Sequence, residues 1–486
     1  MKPCILLRYG EIGLKSRRKR PYFEKLYISA IKDALQRNGA DEFKIKNMGG
    51  RFIIYHHTPK DLIAVLQRVP GIQSMSIAEE IVFNDNKDLL DKLAFLKEKI
   101  KGKTFGVKVK RVGTHDFSSM EFAGELGAFL SKESAGVDLT DPDIMLYCEI
   151  RQLSCFVYTD MVNGLGGLPP KSSGKVLCLF SGGLDSPVAA FQMLRRGCEA
   201  DFLFINLSGE KMLHDVCQIY NFLTSNYAFG FVPKLFVVDG NALVEKITRE
   251  VKDELRQIAL KIAFYQIAQA VAEQQSHLAL ATGESLSQKS SQTLQSLKLI
   301  ESQVSIPVHR PLFAFDKYEI IKMAEAIGTA ASSQKIKEYC NLSEGPVSTM
   351  PDQRCLKDIP DFTDVVTTSL SGMKVFSGII ALEEEPVTGF SWKDVVVVDM
   401  RPRLLQERHA LAADLHLPYP DIMDELGRFE SIKSYLLICD FGVRSEEIAY
   451  HLRKKGIKAA GISLQGFLKH IQPLLSSHSL NQKVAL

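Results

Sequence analysis

One nonapeptide, Leu179-Phe180-Ser181-Gly182-Gly183-Leu184-Asp185-Ser186-Pro187, constrains the fold of this chain more than any other stretch. It follows an apolar run, Val176–Phe180, that reads as a buried parallel strand. It precedes Val188–Arg196, which reads as a helix with Pro187 in its first turn. Strand, Gly-Gly turn and helix together form a pyrophosphate-binding loop. Gly182 and Gly183 let the backbone approach a phosphate, while the hydroxyls and the amides of the helix N-terminus face the anion. No Gly-Lys-Ser/Thr closes the loop, which excludes the P-loop of kinases and GTPases.

At 486 residues the chain has room for about three domains. Its 45% hydrophobic and 24% charged content are those of a soluble globular protein. No apolar run approaches the roughly 18 residues of a membrane helix. Met1-Lys2-Pro3-Cys4 opens no signal peptide, so a cytoplasmic protein with no membrane partner is expected. Nine cysteines without a CxxC pair give neither a zinc site nor a disulfide framework. Most, such as Cys178, read as small buried apolar residues. The net charge of +3 hides an asymmetry: residues 1–60 hold 14 Lys/Arg against 5 Asp/Glu, which leaves the remainder at −6. The densest run, Lys15-Ser16-Arg17-Arg18-Lys19-Arg20, reads either as a solvated face or as a surface for a phosphate backbone.

Three breaks divide the chain. Gly164–Gly174 is a linker by composition. Residues 341 to about 393 carry Pro346, Pro351, Pro360 and Pro386 without a long helical pattern and read as a second connector. Pro70-Gly71 separates a basic first module from a second. The first module reads as strand Ile5–Leu7, helix Tyr22–Arg37 and strand Phe52–Tyr55. The second reads as helix Leu89–Lys99, strand Phe105–Arg111, helix Glu121–Ser131 and strands Met145–Glu149 and Cys155–Thr159. Both are small α+β units. Beyond the loop, strands Asp201–Asn206, Lys234–Val238 and Leu278–Ala281 and a long helix, Val244–Gln274, describe an open, mostly parallel sheet with its ligand at the carboxyl ends of the strands. The tail reads as a small α/β domain of strands Val395–Asp399, Tyr435–Cys439 and Ala459–Ile462 and helix Glu446–Lys455.

Chemistry gathers at four further places. Thr282-Gly283-Glu284-Ser285 follows a strand, where Gly283 would let the backbone approach a ligand, here the adenine. Ser290–Leu294 and Arg310–Lys317 mix polar and apolar residues, a pattern that loops and helix caps also show. In the tail, Cys439-Asp440-Phe441-Gly442-Val443-Arg444-Ser445 runs from an apolar strand into a helix. Backbone N–H groups at such a turn lower a thiol's pKa and suit a persulfide carrier; a buried strand-end cysteine is the alternative. Four residues separate Cys439 from Arg444, a tighter loop than the Cys-x5-Arg of tyrosine phosphatases.

The SGGxDS form is that of enzymes that adenylate an oxygen, release pyrophosphate and let a nucleophile replace AMP. RYGEIGLK (Arg8–Lys15), VKVKR (Val107–Arg111), TGES, SQTL, RPLFAFDK, IGT (Ile327–Thr329) and EYC (Glu338–Cys340) accompany it in order along essentially the whole chain. With them the sequence resembles the tRNA 4-thiouridine synthetase (tRNA sulfurtransferase) family in its longer form. The resemblance implies a multidomain α/β protein: a ferredoxin-like domain at 1–65, a THUMP RNA-binding domain at 66–168, an open parallel-sheet PP-loop ATP pyrophosphatase domain at 169–345, a linker at 346–393 and a rhodanese-like domain at 394–486. It implies ATP with Mg2+, adenylation of O4 of uridine 8 in tRNA, and sulfur supplied by a cysteine desulfurase. That desulfurase carries the pyridoxal phosphate itself, so none is expected on this chain. It further implies sulfur supply to a thiazole-synthesis carrier protein, a cellular reductant and a homodimer.

Carried over residue by residue, the resemblance makes Cys439 the persulfide carrier and Cys340 its disulfide partner. Asp185 falls nearest magnesium and pyrophosphate, and Lys317 becomes a cation for developing phosphate charge. Leu179, Phe180, Ser181, Gly182, Gly183, Ser186, Lys261, Gly283 and Gln292 become nucleotide contacts, and Asp399 and Arg401 brace the cysteine loop. Cys355 reads as incidental. Departures from the family pattern are Gly13, Ser16, Lys289 and the Asn206-Leu207-Ser208-Gly209 segment, to which no nucleotide contact is assigned. Two rivals stand beside this reading: an adenylating ligase or amidotransferase that uses ammonia, and a non-catalytic RNA-binding protein.

Overall fold

The computed structural model describes residues 1–207, 209–336, 342, 343, 345, 347–382, 395–473 and 475. The chain divides into two compact units, Met1–Leu168 and Pro169–Leu486.

The first unit is built on one nine-stranded sheet. Its spine is the strand Ile72–Val82, which pairs antiparallel with Lys2–Tyr9 from Ile72 to Glu80 and, on its other side, with Ser154–Tyr158 from Glu79 to Val82. The sheet therefore runs unbroken past the expected domain boundary at 65/66. On one half lies helix Arg20–Arg37, whose buried Tyr27, Ala30, Ile31, Ala34 and Leu35 repeat at three- and four-residue spacing and form a single apolar face. On the other half, helix Ser119–Ser131 starts from a capping box of Ser118 and Glu121. It buries Phe122, Leu126 and Leu130 against Phe105 and Leu146 of the sheet. Buried Glu149 takes Arg51 at 3.0 Å and Arg151 at 2.8 Å, so a carboxylate inside the sheet is neutralised from both halves.

The second unit carries two sheets. The larger runs Val308–His309, Ala279–Ala281, Lys175–Leu179, Glu199–Asn206 and Lys234–Asp239 in parallel, with Lys374–Ser377 antiparallel at the edge. Lys175–Leu179 comes first in the chain yet lies in the middle. Its neighbours therefore diverge in opposite directions, and the crevice for a ligand opens at its carboxyl end. The expected long helix is two, Asn241–Glu250 and Arg256–Gln275, separated at Val251–Leu255 by the tight turn Asp253–Leu255. The helix after the loop starts at Asp185, earlier than expected, so Asp185 and Ser186 lie in its first turn.

The expected connector at 346–393 is corrected over its described part. Phe362 and Val365 enter the main apolar core, Leu356, Ile359 and Cys355 pack against it, and Lys374–Ser377 pairs with Lys234–Asp239. These residues belong to the larger domain because their apolar side chains have that core to fill.

The smaller sheet, Leu415–His416, Val395–Asp399, Ser434–Cys439 and Lys458–Ser463, is wholly parallel. Helix Val443–Lys454 follows its central strand and packs against the larger domain: Glu447 accepts the Ala331 amide at 3.1 Å, and the Arg444 guanidinium lies 5.4 Å from the Phe222 ring.

Candidate active site

At the switch point the chain turns sharply after Leu179. Gly182 adopts a left-handed φ of 73°, and a side chain there would strike Ile336 and Val216. Ser186, in the first helical turn, accepts the Ser181 amide at 3.0 Å and closes the loop. Gly283 lines the cavity and has a packing role as well. A Cβ there would come within 2.8 Å of the Asp185 carbonyl carbon and the Ser186 nitrogen. Its bareness thus lets the end of strand Ala279–Ala281 pack directly on the loop.

Leu179, Phe180, Ser181, Asp185, Ser186, Lys261, Gly283 and Gln292 all line one cavity at these strand ends. Gly182 and Gly183 are buried in the turn itself. Lys317 reaches in from the first residue of helix Lys317–Ile327, whose start is fixed by a capping box of Asp316 and Glu319. Its ammonium stands 2.7 Å from Asp185 Oδ1. Within Ser290–Leu294, both readings of the segment find a place: Thr293 caps helix Leu294–Glu301, while Gln292 faces the cavity.

Several lining residues escaped the sequence reading. Gln257 and Phe264 lie four residues before and three after the assigned Lys261 on helix Arg256–Gln275, so all three share one face, a spacing from Lys261 that could have found them. Tyr265 and Glu284 also line the cavity, in a network with Arg310. Gln288 donates to Asp185 Oδ2 at 3.2 Å, so the carboxylate has a cation on one oxygen and an amide on the other.

The cysteine loop sits at the carboxyl end of the smaller sheet's central strand. Cys439 is 8% exposed. The Ser445 amide donates to its sulfur at 3.3 Å, and the thiol donates to the Ser445 hydroxyl at 3.3 Å. Against expectation, burial pushes the thiol up from its ordinary pKa, with Asp440 adding to the rise; the Ser445 hydroxyl and the backbone amides of Ser445 and Phe441 offset it only in part. The cation expected nearby is turned elsewhere, since the Arg444 guanidinium stacks 4.1 Å from the Tyr419 ring. Asp399 and Arg401 form a buried bidentate pair at 2.7 and 3.0 Å, and Arg401 also donates to the His409 carbonyl at 2.7 Å. Their bonds brace the turn after strand Val395–Asp399. Cys340 lies outside the described residues.

Among the described residues no group of three or more His, Cys, Asp or Glu could hold a metal. None of their helices is long and apolar enough to cross a membrane.

Known proteins match along most of the length. The ThiI ferredoxin-like domain model matches residues 4–76, the THUMP domain model 87–160 and the thiamine biosynthesis protein (ThiI) model 171–359. The tRNA sulfurtransferase of Pyrobaculum aerophilum is 34% identical over 94% of this chain and 95% of its own. The chain belongs to the tRNA sulfurtransferase family. Within the family it is also similar to the Blochmanniella pennsylvanica enzyme, at 31% identity over 92% of this chain and 96% of that one. A crystal structure of a 4-thiouridine synthetase–RNA complex with bound ATP matches with a TM-score of 0.66 and 30% identity, covering 78% of this sulfurtransferase and 100% of that chain. PH1313 from Pyrococcus horikoshii matches with a TM-score of 0.53 at 25% identity, over 67% and 99% of the two chains.

Proposed function

We infer that this chain is an ATP-dependent tRNA sulfurtransferase that converts uridine 8 to 4-thiouridine. The observation that carries the reading is the cavity at the switch point. Eight of the residues assigned from sequence to nucleotide, pyrophosphate or phosphate charge converge there from four separate stretches of chain. The tRNA-binding surface is the first unit, where Arg17, Arg18 and Lys19 are exposed.

ATP binds with its triphosphate at Ser181–Ser186. A carboxylate beside a triphosphate is tolerable only when neutralised, and Lys317 does this for Asp185. One carboxylate plus substrate phosphates is the usual seat of magnesium, so Asp185 fits as its ligand, and the ion would neutralise the departing pyrophosphate. O4 of the uridine attacks the α-phosphorus, its N3 proton leaves and pyrophosphate departs, giving the O4-adenylate. Lys317 and Lys261 balance the charge that develops.

Sulfur comes through the tail, a rhodanese-like domain in this reading. A cysteine desulfurase transfers sulfane sulfur to Cys439. The terminal sulfur of the persulfide displaces AMP from C4, and Cys340 then attacks Cys439 Sγ, freeing the thiouridine and leaving a Cys340–Cys439 disulfide. In the variant route, Cys340 attacks first and the released hydrosulfide displaces AMP. Either way a cellular reductant must reopen the bridge. The loaded tail also serves thiazole sulfur supply.

Incubation with tRNA and ATP should release pyrophosphate, and adding a desulfurase with cysteine should yield 4-thiouridine on nucleoside analysis. Pyrophosphate release without thiolated nucleoside would favour an ammonia-using ligase, and neither product a passive RNA binder. Mass spectrometry after one turnover without reductant should find Cys340 joined to Cys439; a Cys355–Cys439 bridge would reassign the partner.

A further inference from the structure

The reaction just described gives no task to the Thr282–Ser285 segment, yet its most completely enclosed side chain is that of Glu284. It is 2% exposed and stands in the wall of the nucleotide cavity. Its two oxygens are treated very differently. Oε2 accepts from the Tyr265 hydroxyl at 2.5 Å, the Thr282 hydroxyl at 3.0 Å and Arg310 Nε at 3.0 Å. Oε1 accepts no hydrogen bond, and the Lys261 ammonium stands 3.6 Å from it. A buried carboxylate that leaves one oxygen bare carries a desolvation cost with no local return, unless that oxygen has another task. Burial pushes the carboxyl up, but Lys261, the Tyr265 hydroxyl and Arg310 together hold it below the ordinary range, so the bare oxygen is anionic at neutral pH.

Arg310 does not need that second oxygen. Its other nitrogens are taken by Glu301 at 2.7 Å and the Tyr265 hydroxyl at 3.2 Å. Lys261, by contrast, is an ammonium on a flexible four-carbon stem and has no rigid geometry of its own. Resting on the reading that this cavity takes ATP, we propose that Glu284 is a positioning residue for Lys261: Oε2 locks the carboxylate to the domain, and Oε1 fixes where the ammonium stands, so that the nucleotide's phosphate meets a charge already in place. Glu284 touches no reacting atom in this scheme and acts through Lys261 alone.

The test is a double-mutant cycle with Glu284→Gln and Lys261→Met, read as tRNA-dependent pyrophosphate release by the full-length protein. The glutamine carbonyl can keep the three bonds of Oε2 while its amide places N–H donors, which do not hold an ammonium, where Oε1 was. The expected result is a kcat lowered about 10- to 100-fold, with KM for ATP and thermal unfolding nearly unchanged. The double variant should be no slower than Lys261→Met alone. Losses that multiply in the double variant, or a Glu284→Gln enzyme with wild-type kcat, would overturn the inference while leaving the ATP reading intact. Wild-type pyrophosphate release by Lys261→Met would overturn the inference, whereas no pyrophosphate release by the unaltered protein would overturn the ATP reading beneath it. Should Glu284→Gln fail to fold, Glu284→Asp enters the same cycle under the same criteria, because it keeps the charge but draws it away from Lys261.

Discussion

The loop at Ser181–Ser186 and the loop at Cys439–Ser445 are built to one plan. Each leaves the carboxyl end of a parallel strand and enters a helix, and in each a serine from the first helical turn reaches back to where the loop begins. Their surroundings then diverge. The first opens on a cavity bordered by Asp185 and Lys261 and held at its edge by Lys317. The second encloses its sulfur, and the cation beside it is spent on Tyr419 and Phe222. In the function proposed above, two kinds of cargo account for the difference. A triphosphate arrives charged, so its cradle needs opposite charge and open access. A carrier sulfur must survive between partners, and a dry, protonated thiol is slow to react with anything that does not come to collect it.

The comparison breaks most sharply if the two loops can be silenced independently. Cys439→Ala should abolish persulfide loading from a desulfurase and all 4-thiouridine formation, while pyrophosphate release with tRNA and ATP continues; loss of both activities would mean the loops are not separate devices. Asp185→Ala should do the reverse, lowering pyrophosphate release by roughly 10³-fold, the scale of losing a group that stabilises transition-state charge, with Cys439 loading measured by mass spectrometry unchanged. Lys317→Met leaves Asp185 with Gln288 only. A fall of about 10- to 100-fold in pyrophosphate release is expected, partly relieved by raising the magnesium concentration. Insensitivity to magnesium would detach Lys317 from the charge-balancing role.

The smallest effect sharpens the contrast from the sulfur side. Because burial raises the Cys439 thiol, its reactive thiolate is the minor form at neutral pH, and loading should accelerate as pH rises toward the shifted pKa. Ser445→Ala removes the hydroxyl that stands 3.3 Å from the sulfur and draws the thiol's pKa down. It should move that rise to higher pH and slow loading about 3- to 10-fold at pH 8, an effect of one hydrogen bond. A profile that stays in place would show that the hydroxyl does not set the sulfur's charge.

Much of the architecture was legible because the decisive strands are continuous apolar runs between Gly-rich turns. Val395–Asp399 and Phe52–Tyr55 fall where the pattern put them. Strand Lys44–Asn47 went unseen because all its residues but Ile45 are polar and it pairs on one side only. Ile72–Val82 was obscured by Glu79 and Glu80, although Glu80 is satisfied inside the sheet by Tyr55 and Ser154. At the site, motif residues could be named one by one, but their contacts could not. Lys317 and Gln288 meet Asp185 from more than a hundred residues away, and no local pattern records which lysine completes which carboxylate. The charge state of Cys439 was misjudged for a related reason. A helix N-terminus can be read from sequence, whereas the depth of water exclusion depends on what the whole module packs around it.

One turn of helix Val443–Lys454 has a consequence for motion. Ser445 grips the sulfur from this turn, and Arg444 and Glu447 on either side of it grip Phe222 and the Ala331 amide of the neighbouring domain. Grasp and attachment therefore share a single stiff rod. If the tail swings away to meet a donor, the handle turns with its load, and the sulfur travels with its wrapping undisturbed. The hold that must let go first is the Glu447 bond, at the leading edge of the short helix Ala330–Lys335, with Cys340 five residues past its end in the sequence. Arrival and departure of the carrier would thus be felt first as a tug on that helix.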